Sequence, residues 1–551
     1  LSADAVLSRV GTNLVITVGA DSVALADWYL GTEYRIDDVY FEGDGNYWDA
    51  ATIESLAPSG NSAPELANPL ADQSASEDAA FSYMVPTDAF SDAEDGGTLT
   101  YVATLEDGSA LPAWLSFDPE TATFSGTPLQ ADVGTLDVTV TATDSGGLSA
   151  ADTFALTVAN VNDVPVVASP LVDLSFEAGA GFSFAVPEGT FSDEDPGDTL
   201  ALSASRYDGS ALPAWLSFDP ATALFTGSPA LTDIGISHIQ VTAADGAGAS
   251  AQSDFGLVVR VPAGMEMTGS AGDDVIYGGT GDETLTAKGG SDYLYGDIGN
   301  DLLKGGGGND VLQGGAGNDV LRGGKGQNVL DGGAGADLIF GGQGSAFIVG
   351  GAGNDTLRVG SGSDVIAFNA GDGMDTIYGG RDGGNTLSFG GGIRYSDLAL
   401  SRVGKDLVVS TGEGEGVTLK NWYAGNHSVL NLQIVLDATE DFDATSGDPL
   451  YNRRVQTFDF LGMVGAFDAA RAATPGLTSW EMTNALLAFH LSGADDLALG
   501  GDLAYWYGKN RSLQGISLQS AQQVIGAASF GSEAQSLRPF SGLQEGFVKL
   551  S

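Results

Sequence analysis

Between Gly269 and Ala367 a carboxylate occupies the sixth place of one nine-residue unit after another: Asp274, Glu283, Asp292, Asp301, Asp310, Asp319, Asp337, Asp355 and Asp364. Asn328 and Ala346 interrupt the series. Two unit charges 4 Å apart repel by about 4 kcal/mol near a protein surface, so such a row needs a counter-charge. Oxygen donors at regular spacing, with backbone carbonyls to fill the remaining positions, suit a hard divalent cation. A second set of candidate ligands is Asp92, Glu94 and Asp95 in SDAEDG, Asp144 in TATDSGG, and Asn160, Asn162 and Asp163 in NVNDVP. Catalytic constellations are not seen. There is no HExxH or GxSxG, and His238, His427 and His490 are dispersed. The chain has no cysteine, which excludes thiol chemistry and disulfides.

The units that carry the carboxylates must also position them. Their fourth place is Gly throughout, from Gly272 to Gly362, and their eighth is Leu or Ile, from Ile276 to Ile366. Glycine permits the positive φ of a tight turn, and a three-residue strand then points its aliphatic side chain inward. One unit buries almost nothing, whereas stacked units share a continuous core. If each unit is half a coil, loops on one flank recur every 18 residues. One flank then carries Glu283, Asp301, Asp319, Asp337 and Asp355, and the other Asp274, Asp292, Asp310, Asn328, Ala346 and Asp364. The first should hold an unbroken row of ions. The second should have a gap or a weakened site between Asn328 and Ala346, where Phe347 would mark a face covered by a partner chain or another domain. The segment resembles the repeats-in-toxin (RTX) nonapeptide family, GGxGxDxUx. That resemblance implies a calcium-filled parallel β-roll that folds outside the cell. It also implies export by a type I secretion apparatus that reads an uncleaved C-terminal signal.

A second repeat has a period of 101 residues: ALPAWLSFDP stands at 110–119 and again at 211–220. Alternating runs such as LDVTVTATD (136–144) and HIQVTAADG (238–246) read as strands between turns. Two β-sandwiches of about 100 residues fit that spacing. Trp114 and Trp215 read as core anchors, with sugar stacking the alternative. These units resemble cadherin-like domains, in which acidic clusters meet at a junction and hold calcium. The resemblance implies an ion contacting Asp92–Asp95 or Asp144 together with Asn160–Asp163. The second unit keeps Asp193, Glu194, Asp195 and Asp245, but its end, VVRVPAG (258–264), offers no carboxylate, so no ion is expected at the next junction.

A third repeat pairs LSRVGTNLVITV (7–18) with LSRVGKDLVVST (400–411), and VALADWY with VTLKNWY. It resembles the small β module that follows calcium-repeat blocks, so more protein is expected upstream of residue 1. From about Asn452 the pattern turns helical. Helices are expected over 455–473, after a Thr478/Glu481 capping box, and over 517–530. The expected fold is mostly β and multidomain. It comprises a β module (1–57), two cadherin-like or Ig-like sandwiches (58–163 and 164–264), the roll (265–380), a second β module (381–447) and a small helical C-terminal export or assembly region (448–551). The net charge of −52 disfavours nucleic acid and anionic lipid, and no apolar run is long enough to span a membrane. The expectation is a non-enzymatic, type I-secreted bacterial surface protein with bound calcium. It would be an adhesin, matrix component or surface-array subunit that self-associates or meets a cell-surface ligand. The alternative is the calcium-folding, secretion half of an extracellular hydrolase.

Overall fold

The computed structural model describes residues 4–10, 12–28, 35–41, 46–56, 61–94, 98–195, 197–379, 384–527, 530, 538–539 and 546–551. It divides into two compact units.

The first unit holds Leu1–Val164 with Asp193–Asp198. Its N-terminal strands Ala5–Val10, Asn13–Val18 and Asp21–Leu25 form an antiparallel meander that buries Leu14 with Trp28 and Ile53. A sandwich follows. One sheet runs Thr100–Leu105, Gly134–Thr143, Ser149–Ala159, Gln73–Ser76, and the other Leu115–Asp118, Thr123–Gly126, Phe81–Met84. Alternation along LDVTVTAT sends Val138, Val140 and Ala142 inward to meet Phe124, Phe154 and Leu156. Trp114 belongs to this core. It packs edge-on to Phe81, and only a glycine fits at 126 beside its backbone and ring.

The second unit holds Pro165–Ser192 with Thr199–Ser551. It opens with the same sandwich order, around Phe225, Ile239, Val241, Phe255 and Leu257. The roll then builds two parallel sheets whose partners lie 18 residues apart: Val275 pairs with Tyr293 and Tyr293 with Val311, while Thr284 pairs with Leu302 and Leu302 with Val320. Between the sheets the eighth-position side chains stack without solvent, Leu285, Leu294, Leu303, Leu312, Leu321 and Leu330 all being fully buried. Each contributes about 1.5–3 kcal/mol of apolar burial. Beyond the nonapeptides the coils lengthen, with Thr356 opposite Thr376 and Val365 opposite Thr386. Glu415–Leu419 and Val429–Val435 then add one further parallel strand to each sheet, and antiparallel strands continue them, Asp406–Gly412 and Ala399–Val403 on one, Val455–Asp459 and His490–Ala494 on the other.

The C-terminal region departs from the helical expectation at two points. Val455–Asp459 is a strand, and the helix starts only at Phe460, where the Asp459 side chain accepts from the Gly462 N–H. The capping box at Thr478/Glu481 opens no α-helix. Ser479–Glu481 pairs with Ala399–Ser401, two short 3-10 turns follow, and His490–Ala494 pairs with Val455–Asp459. Sheet extension supplies that segment with more hydrogen bonds and burial than an isolated turn of helix would, and tertiary context overrides propensity. Helix Leu518–Gly526, capped by Ser517, lies within the expected 517–530. Helix Gly501–Asn510 has no counterpart in the sequence pattern.

Candidate calcium sites

Glycine makes the roll's loops possible through both conformation and space. Gly299, Gly317 and Gly335 have φ of +142°, +143° and +134°. A Cβ on Gly317 would sit inside the carbonyl of Gly299, one coil away. This close stacking aligns the sixth-position residues. On the first flank the backbone N–H of Glu283 donates to Asp301 Oδ1 (2.7 Å), Asp301 to Asp319 (2.7 Å), Asp319 to Asp337 (2.7 Å), Asp337 to Asp355 (2.8 Å) and Asp355 to Asp375 (2.9 Å). Each of these aspartates thus uses one oxygen to join two coils.

The other oxygen has no partner. The Oδ2 atoms of Asp292, Asp301, Asp310, Asp319, Asp337, Asp355 and Asp364 are buried and unsatisfied. Each burial would cost several kcal/mol for an ion left uncompensated. These oxygens do not point into apolar packing. The space that a Cβ on Gly314 would take lies against both Asp319 Oδ2 and the Gly332 carbonyl of the next coil, and Gly296, Gly305 and Gly332 repeat the arrangement. Carboxylate and carbonyl oxygens converging on a small glycine-walled space fit a hard cation. Without one, burial raises the carboxyls: Asp301, Asp310, Asp319, Asp337 and Asp364 to about 7, Asp355 to about 6, and Glu283 and Asp292 upward. Asp375 extends the first row beyond the regular repeats. Burial and the neighbouring Asp355 push it to about 8. The nine-residue count misses it because its coil is two residues longer.

The second flank behaves differently. Asp274 N–H donates to Asp292 (2.8 Å), Asp292 to Asp310 (3.0 Å), and Asp310 to Asn328 Oδ1 (2.9 Å). That last bond turns the Asn328 amide nitrogen toward the oxygen space, where it lies unpartnered, 2.7 Å from where a Gly323 Cβ would stand. Ala346 offers no side-chain oxygen, and Asn328 N–H goes instead to the Ser345 carbonyl (3.3 Å). The row resumes only with Ala346 N–H to Asp364 (2.7 Å). Changing Asn328→Asp, which gives Asp310 a carboxylate partner, should add a bound calcium. Changing Asp319→Asn should remove at least one and raise the calcium midpoint of folding. Native mass spectrometry and a calcium titration followed by circular dichroism check both, and equal stoichiometry in the two variants would sink the assignment.

Phe347, beside the break, is fully buried, and the chain itself covers it. It packs with Tyr293, Val311, Val329 and Val365 on the outer face of the ten-stranded sheet, under Leu503, Tyr507, Ile516, Ala521, Ile525 and Leu550. The C-terminal Ser551 N–H reaches Gln313 on the same face (3.0 Å).

In the first unit the expected junction ligands are sorted differently from the expectation. Asp144 follows strand Gly134–Thr143 and Asn160 follows its partner Ser149–Ala159, with Thr143 opposite Ser149 and Gly134 opposite Val158. The two lie at opposite ends of a ten-residue hairpin, about 30 Å apart at 3.3 Å per residue. Asp144 instead accepts from Asn61 (2.8 Å), and Glu94 from Ser62 (2.6 Å); Asp92 takes the Glu94 N–H (2.8 Å). Asp95 lies outside the described residues. At the other end Glu77 Oε1 accepts the Val161 N–H (2.7 Å), while Asp195 accepts from Asn160 (2.6 Å) and from the Asp163 N–H (2.7 Å). Asn162 donates to the Asp163 carbonyl (2.7 Å). Carboxylate oxygens of Glu77, Asp163 and Asp195 all lie within 4.8 Å of one another, Glu77 is 1% exposed, and its Oε2 has no partner. Burial and Asp195 raise the Asp163 carboxyl. A cation fits here too, on Glu77 and Asp195 in place of Asp92–Asp95 and Asp144. The 101-residue repeat contains that signal, because Asn61 and Glu94 align with Asn162 and Asp195. At the end of the second sandwich an arginine takes the place of the acids. Arg260 pairs with Asp297 (2.8 Å) and lies over the Tyr277 and Tyr295 rings.

Stacked glycine loops closing on buried carboxylates, preceded by tandem sandwiches, define a mostly β calcium-binding solenoid protein. Residues 266–374 match the family of RTX calcium-binding nonapeptide repeats, and 63–159 and 164–260 each match the "Putative Ig domain" family. The chain therefore carries calcium-binding RTX repeats and tandem Ig-like domains. Over 161 residues, 29% of the chain, it is 29% identical to the serine-rich adhesin for platelets of Staphylococcus aureus, and it spans 6% of that adhesin's length. Among solved structures, Drosophila N-cadherin EC1-4 matches 36% of the chain and 50% of its own length at 16% identity and a TM-score of 0.28. An endo-fucoidan hydrolase of glycoside hydrolase family 107 matches 47% and 37% at 19% identity and a TM-score of 0.19. At such scores neither likeness carries a functional argument.

Proposed function

We propose that this chain is a calcium-stiffened, extracellular bacterial surface protein with an adhesive or structural role. The observation that carries the reading is the set of buried, unpartnered aspartate oxygens in the roll. They tie its stability to a cation that is abundant outside cells and scarce within them. The tandem Ig-like domains and the local similarity to an adhesin support placement at a surface. The roll's ions would lie between successive loops of Glu283, Asp301, Asp319, Asp337, Asp355 and Asp375, and between those of Asp274, Asp292 and Asp310. A junction ion would lie on Glu77, Asp163 and Asp195, and another on Asn61, Asp92, Glu94 and Asp144. Residues 1–57, 58–163, 164–264, 265–380, 381–447 and 448–551 would be the modules. The weakly charged tail would serve as the signal for a type I export apparatus before it docks on the roll. No helix among the described residues is long and apolar enough to cross a membrane.

The test is attachment of cells or beads displaying the chain, with and without a calcium chelator. Loss of attachment on chelation, with partial loss for Glu77→Gln, is the expected result. Attachment that survives complete calcium removal would overturn the reading.

A further inference from the structure

The two outer faces of the roll have different fates. The C-terminal helices cover the ten-stranded sheet, whereas on the eleven-stranded sheet Arg322 and Arg358 are exposed. Ninth-position residues of that sheet, followed by Tyr378 of the next, longer coil, stand side by side on successive strands: Thr286 beside Lys304, Lys304 beside Arg322, Arg322 beside Phe340, Phe340 beside Arg358, and Arg358 beside Tyr378. Their neighbours at the eighth position point into the core, so this row faces outward. The guanidiniums stack on rings, Arg322 4.8 Å from the Phe340 centroid and Arg358 4.7 Å from that of Tyr378.

The chain has 73 acidic and 21 basic residues. Even so, among the described residues Lys304, Arg322 and Arg358 form no ion pair. Stacking holds each guanidinium flat, with its N–H edge free for bidentate contact to a carboxylate or sulfate. Arg322 and Arg358 are two strands apart, about 10 Å at the usual strand spacing. That separation is of the order of one disaccharide in an extended glycan.

We propose that this row binds an anionic polysaccharide lying along the roll axis. The proposal names a ligand class for the surface role above and rests on that reading. Geometry selects the partner. A thin linear polyanion meets the cations while staying clear of the acidic surroundings. An anionic bilayer or a second copy of this chain would bring a broad negative surface against a chain of net charge −52.

The test uses the full chain loaded with calcium and measures binding of dextran sulfate, hyaluronan and uncharged dextran. The expected result is binding of both anionic polymers but not of dextran, weakened by salt. The combined variant Lys304→Gln, Arg322→Gln, Arg358→Gln should lose at least tenfold in affinity with an unchanged calcium titration, and Arg358→Gln alone should show a smaller loss in the same direction. Undiminished binding by the triple variant would overturn the proposal. So would a cation row that serves only phosphatidylglycerol vesicles, or only self-association measured by sedimentation. Intact polysaccharide binding alongside failed attachment would support this proposal while sinking the surface reading.

Discussion

Stripped of calcium at pH 8, the chain should lose the parallel β structure of residues 269–378 and keep its sandwiches. The cause is the buried carboxyl rows. An unfolded aspartate titrates near 3.9, whereas burial holds Asp301, Asp310, Asp319, Asp337 and Asp364 at about 7 and Asp375 at about 8 in the metal-free fold. Below about pH 4 these groups are protonated in both states and folding carries no charge penalty. Between about 4 and 8 the folded state holds more protons than the unfolded state, so metal-free stability falls as pH rises, and the full penalty applies above about 8. Acidification should therefore partly restore the metal-free roll, an unusual direction for an acidic protein. Calcium supplies the missing positive charge and expels those protons, so its apparent affinity should rise with pH up to about 8. Circular dichroism and thermal melts from pH 4.5 to 8.5, with chelator and with calcium, read both limbs. Indistinguishable spectra with and without calcium at pH 8 would remove the basis for calcium-driven folding.

The second large effect needs no metal. Gly317→Ala should prevent the roll from closing or lower its melting temperature by ten degrees or more, even in saturating calcium. Gly108 serves as its control. Both glycines have positive φ, +143° and +82°, and a side chain there costs about 1–3 kcal/mol in backbone strain. A Cβ on Gly108 meets nothing within 4 Å, whereas on Gly317 it lands on the Gly299 carbonyl. The coils can escape that overlap only by separating, which stretches the hydrogen bond from Asp301 to Asp319 and opens the leucine stack. Gly108→Ala should cost only the strain. Similar melting losses for the two would show that the stacking distance is not what glycine protects.

Much of this was legible because the repeat converts sequence position directly into spatial position. A fixed count of nine assigns Leu303 and Leu321 to the core and Asp301 and Asp319 to one flank, and the 18-residue strand register follows that count. The same arithmetic placed Asn328 and Ala346 where the hydrogen-bond row breaks. What it could not supply were features set by long-range pairing. The ends at which Asp144 and Asn160 lie depend on the register of one hairpin. The strand at His490–Ala494 depends on an edge offered by Val455–Asp459, which competes with a local helix signal. Asp375 fell outside the count because its coil contains two further residues. The cover over Phe347 was only half visible. Val275, Tyr293, Val311, Val329, Phe347 and Val365 recur every 18 residues as an apolar row, although the segment that buries them lies more than 150 residues downstream of Phe347.

That alternation of faces gives the repeat array a parity. Because odd and even units contribute to opposite sheets, gaining or losing a single nonapeptide would exchange the two outer faces for every unit beyond the change. Apolar side chains made for the C-terminal helices would turn to water, and the arginine row would turn beneath those helices. Gain or loss of 18 residues shifts everything by one whole coil and leaves each side chain on its own face. Growth of this array by duplication is therefore confined to even steps, and its length is quantised in coils rather than in repeats.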